Sequence, residues 1–269
     1  MVRHLVKIVE SISFETYTEP FAGGAALLFA LPVRTGNADY RVEAINDFNG
    51  LVANCYRVAR EQPVEFQRLL ELTLHSQEEY ERSTILCKDP TDNALEMAWA
   101  FFVNINQSFA KRLNGGWSTG NRVNTSNVWH NRISRLPEAL ARFSGVSIGN
   151  EDALEFIDRW DSPKSLHYCD PPYPNTDQGH YKGYTIQDYK NLVEKLDNIE
   201  GSFILSNYPQ DITYPSHWSK VEIPAVTSAA KEKTGDKSRT EVIWYHSNNA
   251  QNNVQQSIIS YETKNGCVY

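Results

Sequence analysis

The sequence predicts an α/β protein with a doubly wound sheet and an inserted, mainly helical domain. Strand-like apolar segments alternate with helical ones before about residue 50 and again after about residue 147. The residues in between repeat Leu, Phe and Trp at helical spacing. Ligands of doubly wound sheets bind at the carboxyl ends of the strands. The polar residues that follow the strands are therefore the candidate functional residues.

Residues 16–28 have the pattern of a strand, a loop of small residues and the start of a helix. The loop Pro20-Phe21-Ala22-Gly23-Gly24-Ala25 follows Glu19, and its glycines permit a ligand to approach the backbone closely. The loop has neither the spacing of the dinucleotide fingerprint nor the Lys-Ser/Thr pair that holds nucleotide phosphates. The pattern favours neither a Rossmann dehydrogenase nor a P-loop enzyme.

The next strand is predicted within 42–49, and its end carries Asp47 and Phe48. A carboxylate at the end of such a strand commonly accepts hydrogen bonds from ribose hydroxyls. The alternative is that Asp47 is the N-cap of a helix beginning at Gly50. The two roles are compatible.

The insertion is predicted to span residues 50–147. Residues 63–86 repeat Leu and Phe among acids, 94–106 are rich in apolar residues, and 129–143 carry apolar side chains at helix-like spacing. The first half of the insertion is acidic, so we expect that half to face away from an anionic partner.

The second half of the insertion is positively charged. The formal net charge of the chain is −7, yet residues 101–150 contain six basic residues and one acid. Arg and Asn suit contacts with guanine and adenine edges, and Arg and Lys hold phosphates. We therefore predict that the turn-rich loop and its surroundings bind DNA through Lys111, Arg112, Asn114, Arg122 and Arg132. The alternative is a solvated loop whose charges contact nothing specific.

After the insertion the α/β pattern resumes. Helices are predicted at 152–159 and 186–198, and strands at 166–169, 203–206 and 241–246. These elements complete the doubly wound sheet.

The strand at 166–169 leads directly into Asp170-Pro171-Pro172-Tyr173. The two prolines fix φ and remove two backbone donors, so the carbonyls of Asp170 and Pro171 stay available as acceptors. An exocyclic amine such as adenine N6 needs an acceptor for each hydrogen, and a base outside the duplex needs a stacking surface. The motif offers both, although a plain surface turn is the alternative for four residues alone.

Together these segments resemble the Dam-type, alpha-class DNA adenine-N6 methyltransferases. Glu19-Pro20-Phe21-Ala22-Gly23-Gly24 is similar to their cofactor loop, Ile45-Asn46-Asp47-Phe48-Asn49 to their ribose-binding strand end, and Asp170-Pro171-Pro172-Tyr173 to their catalytic motif. The order also matches, since the cofactor loop precedes the catalytic motif with a long insert between them. Asp152 stands where the family has an acid near the cofactor adenine.

The resemblance implies a Rossmann-like methyltransferase domain of residues 1–49 and 148–269, with residues 50–147 as the target-recognition domain. The implied reaction is site-specific transfer of a methyl group from S-adenosylmethionine to N6 of an adenine flipped out of duplex DNA, without a metal. The implied catalytic residues are Asp170, Pro171, Pro172 and Tyr173. The implied cofactor-binding residues are Glu19, Pro20, Phe21, Ala22, Gly23, Gly24, Ala25, Asp47, Phe48, Asp152 and Asp170.

Cellular context follows from the same patterns. The four cysteines are widely spaced, so the sequence predicts reduced thiols rather than a zinc site or disulfides, and Cys169 is expected to be a packing residue. No apolar run has the length of a membrane span, and the N-terminus lacks a secretory pattern. We expect a cytoplasmic protein of a bacterial or phage-type host cell, with a cognate restriction endonuclease as a candidate partner. The oligomeric state follows from none of these patterns.

Three alternatives remain open. A cytosine-N4 methyltransferase uses the same amine chemistry, but such enzymes more often carry Ser in place of Asp170. An RNA adenine methyltransferase shares the motif, although the long basic insert favours duplex DNA. A non-catalytic DNA-binding homologue is the third, because the Tyr-Pro-Gly-Gly-Lys-like segment that usually begins family members has no counterpart in Met1-Val2-Arg3-His4-Leu5-Val6-Lys7.

Overall fold

The computed structural model describes residues 2–32, 42–119, 124–174, 183–207, 212–226 and 238–247. A 3-10 turn, Phe109–Lys111, follows the sixth helix. The strands are β1 (Thr16–Glu19), β2 (Val42–Asn46), β3 (Val146–Gly149), β4 (Ser165–Cys169), β5 (Ser202–Asn207), β6 (Ser219–Val226) and β7 (Ser238–His246). The helices are α1 (Val2–Ser11), α2 (Ala26–Ala30), α3 (Gly50–Glu61), α4 (Pro63–Glu71), α5 (Gln77–Lys88), α6 (Ala94–Gln107), α7 (Thr125–Ser134), α8 (Leu136–Arg142), α9 (Ala153–Trp160) and α10 (Ile186–Asp197).

In the described part of the chain the strands form a seven-stranded sheet with the order β3-β2-β1-β4-β5-β7-β6. β1 pairs in parallel with β2 and with β4, and β4 pairs in parallel with β5. β7 pairs antiparallel with β5 and β6. The parallel strands with intervening helices confirm the predicted α/β fold with a doubly wound, Rossmann-like sheet, to which an antiparallel edge is a common addition.

The chain divides into two compact units. The first comprises Met1–Asn46, Glu151–Pro174 and Thr185–Tyr269, and the second comprises Asp47–Asn150 and Asn175–Tyr184. The first unit contains the central parallel strands, and the second contains the helices α3 to α8. The assignment of DNA recognition to the inserted residues stays a prediction.

The register of the sheet determines which side chains share a face. Tyr17 pairs with Leu166, Tyr168 with Ile204, and Ile204 with Tyr245. Successive side chains of a strand point to opposite faces of the sheet. One face therefore carries a group of polar side chains near the carboxyl ends of the parallel strands. They are Tyr17, Glu19, Tyr168, Ser206 and Glu241. Asp170 directly follows β4, and its carboxyl group interacts with Tyr168 and Glu241 of this face.

The opposite face buries His167 in a polar network. Its Nε2 lies 3.0 Å from Ser165 Oγ and 3.4 Å from Asp161 Oδ1. Asp161 also accepts hydrogen bonds from the backbone N–H groups of Glu200 and Gly201. Burial alone would raise the pKa of Asp161, but the hydrogen bonds from His167 and these two N–H groups lower it to about 2. The network ties the segment before β4 to the turn before β5.

The second unit packs around two tryptophans. Trp99 of α6 is 2% exposed and Trp129 of α7 is 6% exposed, and both lie in one apolar cluster with residues of α3 and α4. Trp99 Nε1 donates to Thr73 Oγ1 at 2.8 Å, and Trp129 Nε1 donates to the Thr73 carbonyl oxygen at 2.9 Å. The indole N–H groups are thus satisfied inside the core, which fixes the end of α4 against α6 and α7.

Most of the predicted elements are present, but their bounds differ in the insertion. The sequence predicts one helix at 129–143, whereas the structure has α7 and α8 with a break at Arg135. Pro137 lies in the first turn of α8, where its missing N–H is tolerated, and it cannot continue a helix interior. The patterns did not identify α1, β3 or β6. Within the described ranges no helix is long and apolar enough to cross a membrane.

Gly201 permits the close contact between the turn before β5 and Ser165. A Cβ at this position would lie 2.1 Å from Ser165 Oγ and 2.8 Å from the carbonyl oxygens of Ser162 and Ser165. We expect Gly201→Ala to lower the free energy of unfolding by roughly 1–3 kcal/mol, because overpacking forces these atoms apart. Urea denaturation measures the change. Gly145→Ala is the control, since a Cβ there meets nothing within 4 Å. Equal stability of the two variants would contradict the prediction.

Candidate active site

A buried carboxylate holds the turn from β1 into α2. Glu19, the last residue of β1, is 1% exposed. Its Oε1 accepts hydrogen bonds from Tyr17 OH at 2.8 Å and from Leu28 N at 2.6 Å. Leu28 lies in the first turn of α2, whose N-cap residue Ala25 has no side-chain capping hydrogen bond. Glu19 therefore caps α2 from the preceding strand and positions the loop between the two elements.

The loop of small residues, 20–25, is held in an unusual backbone conformation. Gly23 and Ala25 have φ of 49° and 46°, and the left-handed region costs an L-residue on the order of 1 kcal/mol. Ala25 is 0% exposed, and its N–H donates to the Ala22 carbonyl oxygen at 2.6 Å. A Cβ at Gly24 would meet nothing within 4 Å. The backbone of the loop is therefore packed tightly at Ala25, whereas there is free space next to the backbone at Gly24.

Asn46, at the end of β2, joins three segments of the first unit. Its Nδ2 donates to the carbonyl oxygens of Pro20 at 3.1 Å and Glu151 at 3.0 Å, and its Oδ1 accepts from Glu151 N at 2.9 Å. Its backbone carbonyl accepts from Ala22 N at 2.8 Å. The sequence analysis did not single out Asn46 for this role, because the role depends on contacts with residues more than a hundred positions away.

Asp170 and the two prolines lie at the end of β4. Pro171 and Pro172 are buried, whereas Asp170 and Tyr173 are partly exposed. Neither proline has an N–H, so this stretch presents backbone acceptors without neighbouring donors. The structure thus places a carboxylate, fixed carbonyl groups and an aromatic ring in consecutive positions after a buried strand.

The two carboxyl groups at this edge titrate near neutral pH. Burial raises the pKa of Glu19 to about 7, against the hydrogen bonds from Tyr17 and Leu28 that lower it, and the Asp170 charge raises it further. Burial also raises the pKa of Asp170 to about 7, with an added contribution from the charge of Glu241 and an opposing one from a hydrogen bond with Tyr168.

Glu241 is a third carboxyl group on this face, and the sequence analysis did not identify it as a site residue. It lies in β7 next to Val242, which pairs with Asn207 at the carboxyl end of β5. Its Oε2 is buried and has no hydrogen-bond partner among the described residues. Burial raises the pKa of Glu241. A lone glutamate in a predicted strand has no local signal that distinguishes it from a surface residue.

Asp47 is buried but is not the cap of α3. It is 2% exposed, its Oδ1 accepts from Asn49 N at 2.8 Å, and its carbonyl oxygen accepts from Asn150 Nδ2 at 2.8 Å. The N-cap is Asn49, whose Oδ1 accepts from Leu51 N at 3.0 Å. The alternative that Asp47 is the N-cap is therefore wrong, because a capping side chain must stand immediately before the first helical residue. Phe48 is 76% exposed.

Asp152 has a structural role in the first unit. It is the exposed N-cap of α9, and its Oδ1 accepts from Leu154 N at 2.8 Å and from Glu155 N at 3.4 Å. A capping carboxylate retains a second oxygen, so capping and ligand binding are compatible. Its contact with a cofactor stays a prediction.

Two cations of the second unit influence each other. Arg132 of α7 donates through one guanidinium nitrogen to the Asn106 carbonyl oxygen at 3.2 Å and to Asn106 Oδ1 at 2.7 Å. Lys111 ends the 3-10 turn with φ of 54°. The pKa of Lys111 is lowered by partial burial and by the positive charge of Arg132. No acid among the described residues forms an ion pair with either side chain.

The loop after α6 is shaped by its own hydrogen bonds. Phe109 N donates to the Gly116 carbonyl oxygen at 2.7 Å, and Asn114 N donates to Asn104 Oδ1 at 2.7 Å. Asn114 has φ of 57°, so its role in this structure is to turn the chain. Arg112 is exposed, and Arg122 lies outside the described residues.

Cys169 packs inside the sheet. It is 0% exposed in β4, and burial followed by the charge of Asp170 raises the pKa of its thiol. The burial confirms the predicted packing role, and it makes Cys169 a poor nucleophile. Cys55 and Cys87 are also free thiols whose pKa is raised to about 12 by burial.

The buried Glu19 predicts a specific dependence of stability on pH. Its pKa in the folded protein, about 7, exceeds the ordinary value of 4.5, so the folded state binds the proton more tightly and loses stability as pH rises between these values. Ionisation of Glu19 should cost about 3 kcal/mol between pH 4.5 and pH 8.

Glu19→Gln keeps an acceptor for Tyr17 and Leu28 but cannot ionise, so its free energy of unfolding should fall less steeply over this range. Urea denaturation at several pH values measures the difference, with Glu10→Gln as the control, because Glu10 is an exposed acid of α1 that is not among the groups acting on Glu19. Parallel curves for Glu19→Gln and the wild type would contradict the assignment.

Comparisons with known proteins place this site in a family. The solved structure of the rRNA methyltransferase aviRa from Streptomyces viridochromogenes is similar over 91% of this chain and 84% of that chain, with 13% sequence identity and a TM-score of 0.35, which is too weak a likeness to carry an argument. The pattern of the family described as D12 class N6 adenine-specific DNA methyltransferase matches residues 1–234. This match confirms the resemblance to Dam-type enzymes, and the chain belongs to the family of D12 class N6 adenine-specific DNA methyltransferases.

Proposed function

We propose that this DNA adenine-N6 methyltransferase uses S-adenosylmethionine as the methyl donor and acts on an adenine flipped out of duplex DNA, with Asp170 as the proton acceptor. The observation that carries the proposal is the position of Asp170. Its carboxylate and the Pro171 carbonyl follow β4 on the edge of the sheet where doubly wound proteins bind their ligands.

The residues at this edge fit a cationic cofactor. S-adenosylmethionine supplies a methyl group bound to a positively charged sulfonium. Glu19, Asp170 and Glu241 share one face of the sheet, and a face with three carboxyl groups favours a cation over an anion. The open side of the loop at Gly24 leaves room for a ligand next to the backbone.

The remaining cofactor contacts are assigned by the family resemblance. They are proposed for the loop residues Pro20, Phe21, Ala22, Gly23 and Ala25, for Asp47 and Asp152, and for the exposed ring of Phe48. In this assignment Glu19 acts by positioning the loop, since its Oε1 already accepts two hydrogen bonds.

The catalytic motif would orient the amine. The Asp170 carboxylate and the Pro171 carbonyl accept the two N6 hydrogens, and the ring of Tyr173 stacks on the base. These hydrogen bonds draw the N6 lone pair out of conjugation with the ring. Bound S-adenosylmethionine would supply the methyl group that N6 accepts, and Asp170 would take one N6 proton, which removes the positive charge that methylation places on N6. Positioning of the reactants supplies much of the barrier reduction.

The insertion would bind the DNA. Lys111 and Arg132 form a local pair of cations in a chain with a net charge of −7, and phosphate is the anion that duplex DNA presents. Arg112, Asn114 and Arg122 are proposed as the other DNA-binding residues of this region. A bacterial or phage enzyme of this kind works in the cytoplasm, where a restriction endonuclease with the same target sequence is a candidate partner.

Asp170→Asn tests the chemistry. The amide keeps an oxygen acceptor but cannot accept the N6 proton, so we expect the single-turnover rate to fall by about 10²–10⁴-fold. In the wild type the rate should rise with pH through about 7, since Asp170 must be ionised. The measurement is mass spectrometry of nucleosides from methylated duplex DNA.

Asp158→Asn is the control, because Asp158 is a surface acid of the same unit paired with Lys195. Full activity of Asp170→Asn, or N4-methylcytosine as the product, would overturn the proposal. Calorimetric titration of the wild type with S-adenosylmethionine separates an inactive DNA-binding homologue from an enzyme.

Lys111→Gln and Arg132→Gln test the DNA-binding role. If each cation contacts one phosphate, each variant should weaken binding to all DNA sequences and reduce the slope of log K against log salt by roughly 1. Fluorescence anisotropy with a labelled duplex measures both quantities. Arg135→Gln is the control, since Arg135 has a 79% exposed side chain and pairs with Glu138. An unchanged slope in both variants would show that neither residue contacts DNA phosphate.

A further inference from the structure

Glu241 lies on the face of the sheet that carries the catalytic carboxylate. The pairing of Ile243 with Ser206 and of Ile204 with Tyr168 puts Glu241, two residues from Ile243, on the same face as Tyr168 and Asp170. β7 runs antiparallel to β5, so the start of β7 lies beside the carboxyl end of β5. Glu241 is therefore at the ligand-binding edge of the sheet, although it is distant from Asp170 in the sequence.

One carboxylate oxygen of Glu241 lacks a structural partner in the described part of the protein. Its Oε2 is buried without a hydrogen-bond partner there. A buried carboxylate oxygen without a partner is costly to stability, and such a cost is common at functional sites. The neighbouring Glu222 differs, since it is exposed, lies on the opposite face and pairs with Lys220.

Three titratable groups interact with Asp170. Glu241 of β7 is the charged group with the largest effect, and it raises the pKa of Asp170 beyond the effect of burial. Tyr168 of β4 opposes this with a hydrogen bond. The charge of Asp170 in turn raises the pKa of Glu19 on β1. Tyr168 and Glu19 form hydrogen bonds with neighbouring residues, whereas the buried Oε2 of Glu241 has no hydrogen-bond partner among the described residues.

We propose that Glu241 is a positioning residue for methyl transfer: its negative charge acts on Asp170 and makes the Asp170 carboxylate a stronger acceptor for the N6 proton. This inference rests on the proposed role of Asp170. The proton balance is simple, because the N–H bond of the methylated N6 breaks, its electron pair stays on nitrogen, and the proton binds an Asp170 oxygen. Glu241 neither touches the reacting atoms nor takes the proton. A nearby negative charge makes the protonated form of Asp170 more favourable.

The test is the pH dependence of single-turnover methylation in Glu241→Gln. Removal of the like charge should move the acidic limb of the profile to lower pH, and the rate on the plateau should fall because Asp170 becomes a weaker base. Relative to its own plateau, the variant should therefore be more active than the wild type at low pH. Glu222→Gln is the matched control, and its profile should coincide with that of the wild type.

A purely structural role for Glu241 gives a different result. It would lower the rate by the same factor at every pH and leave the limb in place, and that outcome would overturn the inference. Glu241→Asp keeps the charge at a changed distance, so its limb should lie between those of the wild type and Glu241→Gln. If Glu241→Gln does not fold, Glu241→Ala removes the same charge, and an unmoved acidic limb in Glu241→Ala would equally contradict the role.

The experiment separates this inference from the proposed function. If Asp170→Asn retains full turnover, Asp170 is not the proton acceptor and both ideas fail. If Asp170→Asn loses turnover while the acidic limb of the pH profile of Glu241→Gln coincides with that of the wild type, only the proposed role of Glu241 is wrong.

Discussion

The hydrogen bonds of the buried Glu19 carboxylate are the interaction on which the site depends. They join the end of β1 to the first turn of α2, which otherwise lacks a side-chain cap. A buried charge is tolerated only when it is hydrogen-bonded, and here the donors are a tyrosine hydroxyl and a helical N–H. The loop between the two elements contains Ala25 in the left-handed conformation. Because that conformation is unfavourable for alanine, the hydrogen bonds at both ends of the loop are needed to maintain it.

Side chains alternate between the two faces of each strand, and this alternation places further carboxyl groups on the same face of the sheet as Glu19. Glu19, Asp170 and Glu241 share a face, and like charges act within this set: the charge of Asp170 raises the pKa of Glu19, and the charge of Glu241 raises the pKa of Asp170. The concentration of acids on one face lowers the stability of the protein at neutral pH. In the proposed function the same surface would attract the cationic methyl donor, and the raised pKa of Asp170 would suit its role as the proton acceptor.

The sequence predicted the parts of the molecule whose signals are local. The strand at 166–169, the helix at 94–106 and the Asp-Pro-Pro-Tyr turn are all read from neighbouring residues. Asn46 and Glu241 were missed because their importance comes from strand register and from contacts with distant segments. The error at Asp47 has a similar origin: Asn49 competes for the same cap, and only the backbone geometry decides between them.

The charges of the insertion suit the DNA-binding role that we propose for it. Arg132 is held by two hydrogen bonds to one residue, Asn106, so its guanidinium is already oriented before a ligand arrives. An immobilised side chain loses less conformational entropy on binding than a free one. The repulsion between Lys111 and Arg132 is a cost in the free protein, and a phosphate bound to both cations would relieve it. In the proposed role this repulsion in the free protein would become a source of affinity for phosphate, so the local charge would matter more for DNA binding than the net charge of the chain.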